Sequence, residues 1–301
     1  MNTSVIKSCI LSSPRLFAGL ALLYCLAGGP AARMFAAETA GGPGRFVLYT
    51  QPLKDNTIDE VAKLAKAGGF SKIEIRGMKQ QFSPHPTADH IAAVLAAEKK
   101  YGVEVVGIAS YLGKSISATP ESPAEMMAAA KRTVDAAAQI GARFCRATAE
   151  GKRDRGVMFA LVPFLKELSA YAAPKGIQVC VETYTNFMTD PEGMMELARS
   201  VGEPNFGFIF LPDNIAGSGR DYKKALGVMR DRIFHVRVTA AVVDREINET
   251  AKGPGKTPVD LPWLVRELRQ AGYKGEIAVS PGESAANAEG ILAWTTYLRG
   301  I

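Results

Sequence analysis

Apolar residues along this chain follow two spacings that alternate eight times. Short runs rich in β-branched and aromatic residues are each followed by a longer stretch in which apolar residues recur every three or four positions. The first spacing predicts a strand, and the second predicts an amphipathic helix. The predicted strands cover residues 46–50, 72–76, 103–109, 143–148, 177–182, 206–211, 233–238 and 276–280. The predicted helices cover residues 57–67, 87–101, 123–140, 157–173, 191–201, 222–230, 261–271 and 285–298.

The order of these elements predicts the fold class. Strands that alternate with helices favour a parallel α/β sheet, and eight such units favour closure into a (β/α)8 TIM barrel. A barrel of this kind needs about 250 residues, so residues 45–301 are expected to form a single domain. An open doubly wound sheet is the alternative, but no Gly-x-Gly-x-x-Gly follows the first strand, and a dinucleotide site there has no support.

The first 38 residues differ from the body of the chain. Lys7 and Arg15 precede an apolar run over residues 16–27, which is followed by small residues at 28–31. This pattern is typical of a secretory signal, and the run is too short for a membrane span of about 20 residues. We therefore expect an exported protein, periplasmic or extracellular, with cleavage between about Ala31 and Ala40 and no membrane span in the mature chain. An uncleaved N-terminal anchor is the alternative.

Charge and cysteine content exclude little but set two expectations. Removal of residues 1–38 takes Lys+Arg from 36 to 33 and Asp+Glu from 30 to 29, so the net charge falls from +6 to +4. This mild excess is spread along the chain, which gives little support for nucleic-acid binding. Cys145 and Cys180 fall on opposite faces of predicted strands, so we expect two buried free thiols rather than a disulfide.

Candidate functional residues stand near the carboxyl ends of the predicted strands, where the active sites of (β/α)8 barrels lie. Strand alternation turns a charged or polar set inward at these ends, namely Glu74, Arg76, Arg146, Glu182, His235, Arg237 and Ser280, with Leu211 on the sixth strand. Three tyrosines lie near the ends of strands one, three and five, namely Tyr49, Tyr111 and Tyr184.

Several segments carry a resemblance to a known family. Gly-Ile-Gln-Val-Cys-Val-Glu at 176–182, Arg-Ile-Phe-His-Val-Arg at 232–237, and the spacing from Gly-Pro-Gly at 253–255 to Gly-Tyr-Lys-Gly at 272–275 resemble the xylose isomerase-like barrels. This family includes sugar phosphate isomerases and epimerases and the AP endonuclease 2-type barrels. The resemblance covers roughly residues 45–300. It implies isomerase, epimerase or lyase chemistry on a sugar or keto-sugar, assisted by a divalent metal.

The metal ligands that the resemblance implies are mostly replaced. Members of the family commonly present Glu, Asp, His and Glu at the ends of strands five to eight, often with a second His three residues after the Asp. At those positions this chain has Glu182, Leu211, Arg237, Ser280 and Asn214. Leucine donates nothing and a guanidinium repels a cation, whereas Mn²⁺, Mg²⁺ and Zn²⁺ need several oxygen or nitrogen ligands. We therefore predict a barrel without the usual metal.

Two alternatives for a metal site remain open. Glu182, Asp213 and Glu283 would form a displaced carboxylate site, which would take Mn, Mg or Zn. His85 lies between two prolines near the predicted mouth, and His90 lies in a predicted helix, where a surface position is expected. A ligand role for His85, at the mouth, or for His90 is the less favoured of the two alternatives.

The inward residues predict roles in a metal-free site. Glu182 is the predicted catalytic base for a carbon next to a carbonyl, and Arg237 is predicted to stabilise the enolate oxygen. The predicted substrate-binding residues are Arg76, Arg146, Glu74, Tyr184 and His235. Their charges indicate a carbohydrate or an anionic sugar as the ligand. The alternatives are an ion-pair network with a purely structural role, and a non-catalytic exported barrel that binds a sugar-like ligand or a protein.

Overall fold

Eight parallel strands close into a barrel in which each strand pairs with its neighbours in chain order. The computed structural model describes residues 45–77, 81–114, 122–149, 151, 153–239, 259–282 and 285–301. The strands are β1 (Phe46–Tyr49), β2 (Lys72–Arg76), β3 (Glu104–Leu112), β4 (Phe144–Ala147), β5 (Gln178–Glu182), β6 (Phe206–Phe210), β7 (Ile233–Thr239) and β8 (Ile277–Ser280). The predicted single (β/α)8 barrel is confirmed, while the predicted signal segment, residues 1–38, lies outside the described residues.

Helices follow the strands around the outside of the barrel. They are α1 (Ile58–Ala67), α2 (Ala88–Tyr101), α3 (Pro123–Ile140), α4 (Arg155–Ala160), α5 (Val162–Ala172), α6 (Pro191–Val201), α7 (Pro212–Gly217), α8 (Tyr222–Met229), α9 (Leu261–Gln270) and α10 (Ala288–Leu298). Several helix starts are fixed by side chains. Thr57 and Ser122 each form a capping box with the glutamate three residues later, which satisfies two backbone N–H groups that would otherwise lack acceptors.

Three helix predictions need correction. The single helix predicted over residues 157–173 is two helices, because Pro163 lies in the first turn of α5 and has no N–H to continue α4. The last helix begins at Ala288 instead of residue 285, because the Asn287 side chain accepts a hydrogen bond from Gly290 N at 2.9 Å and caps it. The short helix α7 was not predicted.

The barrel separates two apolar cores. One lies between the sheet and the helices and contains most of the buried apolar residues, including Cys145. The other fills the barrel interior and includes Phe144, Cys180, Ile209 and Leu211. Cys145 and Cys180 are both buried and free, as the strand alternation predicts. Because the interior core is apolar below the strand ends, the charged residues of the interior are concentrated toward the mouth.

The opposite end of the barrel carries its own ion-pair network. Arg143, just before β4, donates to Glu104 at 3.0 Å and also pairs with Glu276, which precedes β8. Lys72 Nζ lies 3.8 Å from the same Glu276 carboxylate. These charges stand at the amino ends of the strands, so they are separate from the charged residues at the carboxyl ends.

No helix in the described parts of the chain combines the length and the apolar character that crossing a membrane requires.

Candidate functional site

A cleft of about 620 Å³ opens at the carboxyl ends of the strands. The described residues of its walls carry aromatic rings, guanidinium groups, neutral hydrogen-bonding side chains and one carboxylate. Its lining includes Tyr49, Tyr111, Arg146, Thr148, Arg153, Glu182, Tyr184, Leu211, Asn214, Arg237 and Thr239. Apolar rings with a few polar groups directed to one space are typical of a site for a small polar molecule.

Glu182 lines this cleft and is held by two arginines. It ends β5, with only 6% of the residue exposed. Arg146 Nη1 donates to both carboxylate oxygens, at 3.0 and 3.1 Å, and Arg237 Nη1 donates to Oε2 at 2.8 Å. Burial raises the pKa of Glu182, but Arg146 and Arg237 together outweigh burial and hold the pKa below its ordinary value. Glu182 is therefore ionised and weakly basic at neutral pH.

Arg237 joins Glu182 to a second, deeper carboxylate. Its Nε donates to Glu74 Oε2 at 3.1 Å, and its Nη2 pairs with Glu74 Oε1. Burial raises the pKa of Glu74, yet the charges of Arg237 and His235 and their hydrogen bonds bring it down to about 2. Arg237 is itself 2% exposed. The guanidinium is thus shared by two carboxylates, which is the arrangement that makes a buried arginine tolerable.

His235 lies below Glu74 and away from the cleft. Its Nε2 is 3.2 Å from Glu74 Oε2, and its ring centroid lies 4.5 Å from that of Phe144. Glu74 and His235 are fully buried and do not line the cleft. The structure therefore places these two predicted substrate-binding residues behind Arg237, and their proposed contact with a ligand stays a prediction.

Two tyrosines lie against the arginines. Arg237 Cζ is 3.9 Å from the ring centroid of Tyr49, and Arg146 Cζ is 4.5 Å from that of Tyr111. Burial raises the pKa of Tyr49 to about 12 in spite of Arg237. Burial also acts to raise the pKa of Tyr111, but Arg146 and Arg76 outweigh it, so that this pKa is lowered. The two phenols therefore differ in acidity although both line one cleft.

The orientation of Arg146 is fixed from a neighbouring strand. Its Nε donates to Ser110 O at 2.8 Å and its Nη2 to Ala109 O at 3.4 Å. The Ser110 hydroxyl in turn donates to Arg146 O at 2.8 Å. Because β3 holds the guanidinium from the side, its flat face is directed toward Tyr111 and its end toward Glu182.

Arg153 is a cleft residue that the strand pattern did not identify. It lies in the loop between β4 and α4, donates to Thr148 Oγ1 at 3.3 Å, and has its Cζ 4.8 Å from the ring centroid of Tyr184. Within the described part of the chain, no carboxylate lies within ion-pair distance of Arg153 or of Arg76. Arg76 does not line the cleft, and its charge acts to lower the pKa of Tyr111. A loop residue of this kind has no periodic signal in the sequence.

The loop after β5 contributes a second group of polar residues that sequence reasoning missed. Asn186 and Thr189 line the cleft, and Asn186 has a left-handed backbone with φ of 54°, which asparagine tolerates better than most residues. Arg220 Nη1 donates to Thr189 Oγ1 at 2.9 Å. The tight turn therefore directs short polar side chains over the mouth.

Asp213 is buried outside the cleft. Its Oδ2 accepts a hydrogen bond from Thr239 N at 3.0 Å, while Oδ1 has no partner among the described residues. Burial raises the pKa of Asp213 to about 7, which the bond from Thr239 only partly opposes. Glu283 lies outside the described residues. The displaced metal site of Glu182, Asp213 and Glu283 therefore stays a prediction.

The residues at the positions implied as metal ligands do not fit a divalent cation. Arg237 Nη1 occupies one side of the Glu182 carboxylate at 2.8 Å, and Leu211 offers no donor. Asn214 uses its amide to donate to Thr183 O at 2.9 Å. Among the residues whose structure is described, no three His, Cys, Asp or Glu side chains are grouped in a way that would hold a metal ion. A fixed positive charge beside one carboxylate opposes the binding of another cation.

The two remaining histidines lie outside the site. His90 Nδ1 accepts a hydrogen bond from Thr87 N at 3.1 Å and completes the N-terminal cap of α2. His85 is exposed and its backbone N–H bonds to Ser83 Oγ at 3.1 Å. Neither lines the cleft.

Comparison with known proteins agrees with this architecture. The family model described as xylose isomerase-like TIM barrel matches residues 61–296. A search of curated protein sequences finds no match.

Several solved structures share the fold. D-Allulose 3-epimerase from Methylomonas sp. is 14% identical over 85% of this chain and 97% of its own, with a TM-score of 0.66. The 3-keto-D-glucoside 4-epimerase from E. coli is 18% identical over 85% and 99%, with a TM-score of 0.65. The IOLI protein, whose structure has a bound zinc atom, is 18% identical over 84% and 96%, with a TM-score of 0.64. At such low identity these likenesses concern the fold alone. Because the family match spans most of the sequence, this chain belongs to the xylose isomerase-like TIM barrel family.

Proposed function

We propose that this chain binds a carbohydrate-type ligand with an anionic group in the cleft around Glu182, and catalyses an isomerase- or epimerase-type proton transfer on it without a divalent metal. The observation that carries the proposal is the pairing of Arg237 with Glu182 at the barrel mouth. There a guanidinium occupies the side of the carboxylate that a cation would need. Membership of the family, and the likeness to structures named as sugar epimerases, support a carbohydrate-type ligand.

The lining of the cleft suits a sugar. Tyr49, Tyr111 and Tyr184 offer ring faces on which the apolar face of a sugar ring packs, and each keeps a hydroxyl for hydrogen bonding. Thr148 and Asn186 add short polar side chains that match sugar hydroxyls. A volume of about 620 Å³ is ample for a monosaccharide and its substituents.

The charge balance of the mouth favours an anionic ligand. Arg146 and Arg237 are neutralised by Glu182 and Glu74, since the four groups form one ion-pair network. Arg153 is additional to this balance and stands on the cleft wall without a carboxylate partner in the described structure. A carboxylate or phosphate on the ligand would supply that partner, and a guanidinium binds either group with two parallel hydrogen bonds.

Arg237 and Arg146 supply the electrostatic part of the proposed reaction. When a proton leaves a carbon next to a carbonyl, the electron pair moves to the carbonyl oxygen, and a nearby guanidinium N–H stabilises the resulting charge. Each terminal guanidinium nitrogen carries two protons, and Arg237 Nη1 uses one of them on Glu182. Glu182, predicted from sequence as the base, has a lowered pKa that makes it a poor proton acceptor. In the proposal it orients the two arginines.

A second candidate function is a non-catalytic barrel that binds the same class of ligand. This candidate is favoured because both carboxylates of the network are held ionised in ion pairs and are poor proton acceptors. Glu74 is buried behind Arg237 with a pKa of about 2, and Glu182 bonds to two arginines. If no other group of the cleft takes a proton, the network has only a binding and structural role.

Solvent isotope exchange distinguishes these outcomes. The full chain, treated with EDTA, is incubated in D₂O with D-fructose 6-phosphate, D-glucuronate or neutral D-fructose, and NMR follows both saturable binding and deuterium entry at carbon. We expect binding of an anionic probe and exchange that persists after EDTA treatment. Binding without exchange would favour the non-catalytic candidate. Absence of saturable binding by every probe, or exchange that appears only with added Mn²⁺, would contradict the proposal.

We also propose that the mature protein acts outside the cytoplasm. The support is the positively charged start, short apolar run and small-residue exit within residues 1–38. Intact mass measurement of the protein from fractionated cells tests this. A mature form that starts between about Ala31 and Ala40 in the exported fraction is expected, and an uncut chain in the cytoplasmic fraction would contradict it.

A further inference from the structure

Tyr111 is a cleft residue whose surroundings differ from those of the other tyrosines. It lies near the carboxyl end of β3, half-buried, between the ends of β2 and β4. Arg146 Cζ, on β4, lies 4.5 Å from its ring centroid, and Arg76, on β2, pairs in register with Ala109, two residues before Tyr111 on β3. The phenol therefore receives positive charge from both neighbouring strands.

Of these two arginines, only Arg146 has an ion pair with a carboxylate in the described part of the chain. Arg146 is paired with Glu182, whereas Arg76 has no ion pair with any carboxylate of the described chain, and its buried Nε has no hydrogen-bond partner there. Two further titratable residues lie nearby: Lys114 just beyond β3, and Tyr49 on the wall of the same cleft. Glu182, a carboxylate of this cleft, is held by Arg146. Among the groups that the structure describes, the balance of charge around the phenol is positive, which favours its ionised form.

The acidity of Tyr111 follows from this arrangement. Burial acts to raise its pKa, but the positive charges of Arg146 and Arg76 outweigh burial, so the pKa lies below the ordinary value of 10.0. Tyr49 has the opposite character because burial raises its pKa to about 12. Of these two phenols, Tyr111 has the lower pKa, and its pKa is therefore nearer to neutral pH.

We propose that Tyr111 is the acid–base residue of the cleft, and that Arg146 and Arg76 activate it. This inference rests on the proposed isomerase or epimerase function and assigns the proton transfer in it. The Tyr111 phenolate takes the proton from a ligand carbon next to a carbonyl. The C–H bond breaks, a phenol O–H bond forms, and the electron pair moves to the carbonyl oxygen, which Arg237 stabilises. The phenol then returns the proton to the former carbonyl carbon, while the hydroxyl on the carbon that lost its proton becomes the new carbonyl and passes its proton to the former carbonyl oxygen. All atoms are accounted for, and the isomerisation needs no oxidant or reductant.

The other candidates of the cleft are less suited to this transfer. Glu182 shares its oxygens with two arginines, at 2.8 to 3.1 Å, which lowers its basicity. Tyr184 is 42% exposed at the rim, and Arg153 lies over its ring face at 4.8 Å from the centroid. A base must reach the proton that it removes, and its basicity must not be consumed by strong ion pairs. Tyr111 lines the cleft, and its pKa is lowered from the ordinary value of a phenol.

The first test compares Tyr111→Phe with the wild-type chain in the D₂O exchange experiment with D-fructose 6-phosphate. General acid–base catalysis contributes about 10²- to 10⁴-fold, so we expect the exchange rate to fall by about 100-fold or more while the Kd for the sugar phosphate changes by less than about threefold. Tyr101→Phe is the matched control, because Tyr101 donates to Asp59 on the outer helices and lies outside the cleft. It is expected to exchange at the wild-type rate.

The second test reads the phenol directly and needs no ligand. Ultraviolet titration of the wild-type chain minus Tyr111→Phe isolates the absorbance change of Tyr111, which we expect to have its midpoint below pH 10. Arg76→Met is expected to move that midpoint upward and to move the pH profile of exchange with it. A purely structural role for Tyr111 would leave both unaffected.

The two tests separate failure of the inference from failure of the proposed function. Exchange at the wild-type rate in Tyr111→Phe, or a Tyr111 midpoint at or above pH 10, would overturn the role of Tyr111 while the proposed function stands. A wild-type chain that binds the sugar phosphate but shows no exchange overturns the catalytic function and this inference together.

Discussion

Arg237 Nη1 donates a hydrogen bond of 2.8 Å to Glu182 Oε2, between the ends of β7 and β5. Two strand positions that the family resemblance assigns to metal binding are thus joined by a direct ion pair. The same guanidinium also binds Glu74 deeper in the barrel. Positive charge at the mouth is therefore supplied by the chain, and its position is set by two buried carboxylates.

Removal of the Arg237 guanidinium should be costly to stability. Arg237→Ala leaves Glu74 buried without its main partner, and breaking one side of a buried ion pair costs about 3–5 kcal/mol. The free energy of unfolding in urea at pH 7 measures this loss. Adding Glu74→Gln to the variant removes the uncompensated charge and should recover part of the stability. A loss below about 1 kcal/mol in Arg237→Ala, within the range of ordinary surface substitutions, would contradict the described network.

Glu74 should make stability fall at acid pH. Its pKa is 4.5 ordinarily and about 2 in the folded protein, so its contribution is present above about pH 5 and is lost as pH falls toward 2. The difference corresponds to about 3 kcal/mol at neutral pH. Urea unfolding at pH values from 7 to 2 compares the wild type with Glu74→Gln. The gap in stability between them should narrow as pH falls; a gap that stays constant would refute the assignment.

Asp213 should make the folded protein less stable as pH rises, which is the opposite of the effect of Glu74. Its pKa is 3.8 ordinarily and about 7 in the fold, so folding retains a proton that the unfolded chain loses between these values. Stability from this group is full below about pH 4 and falls by roughly 4 kcal/mol as pH rises through 7. Asp213→Asn keeps an acceptor for Thr239 N and stays neutral. It should match the wild type near pH 4 and exceed it at pH 8; lower stability than the wild type at pH 8 would contradict this prediction.

Arg153 should determine affinity for an anionic ligand. A hydrogen bond to a charged group contributes about 1.5–3 kcal/mol, so Arg153→Gln should weaken binding of D-fructose 6-phosphate by about 10- to 100-fold. Binding of neutral D-fructose should change little. Arg155→Gln is the matched control, because Arg155 is an exposed residue two positions away that pairs with Glu196. Titration calorimetry measures the affinities. Equal losses for the neutral and phosphorylated sugars would show that Arg153 does not contact the anionic group.

The fold and the polar floor of the cleft could be predicted from sequence for a physical reason. Strand alternation fixes which side chains face the barrel interior, so it predicts Glu182, Arg146 and Arg237 at the mouth. The pairing of Glu74 with Arg237 was harder, because the two residues lie 163 positions apart and β2 and β7 are not hydrogen-bonded neighbours. Alternation gives the facing direction of a side chain but not its partner.

Other features of the site have no periodic signal. Arg153 and Asn186 lie in loops after strands, where side-chain direction depends on the particular turn. The distinct acidity of Tyr111 depends on Arg76 and Arg146 from both adjacent strands, a relationship that only the closed barrel brings about. Asp213 follows the sixth strand without a periodic pattern that would predict its burial, yet it lies fully buried in α7.

Metal binding by the purified full chain tests the central claim most directly. Elemental analysis of the protein as isolated, followed by titration with Mn²⁺ observed by electron paramagnetic resonance, measures any resident and any added metal. The Arg237–Glu182 pair predicts substoichiometric metal and no tight Mn²⁺ binding. One equivalent of firmly held metal that is lost in Glu182→Gln would contradict the account.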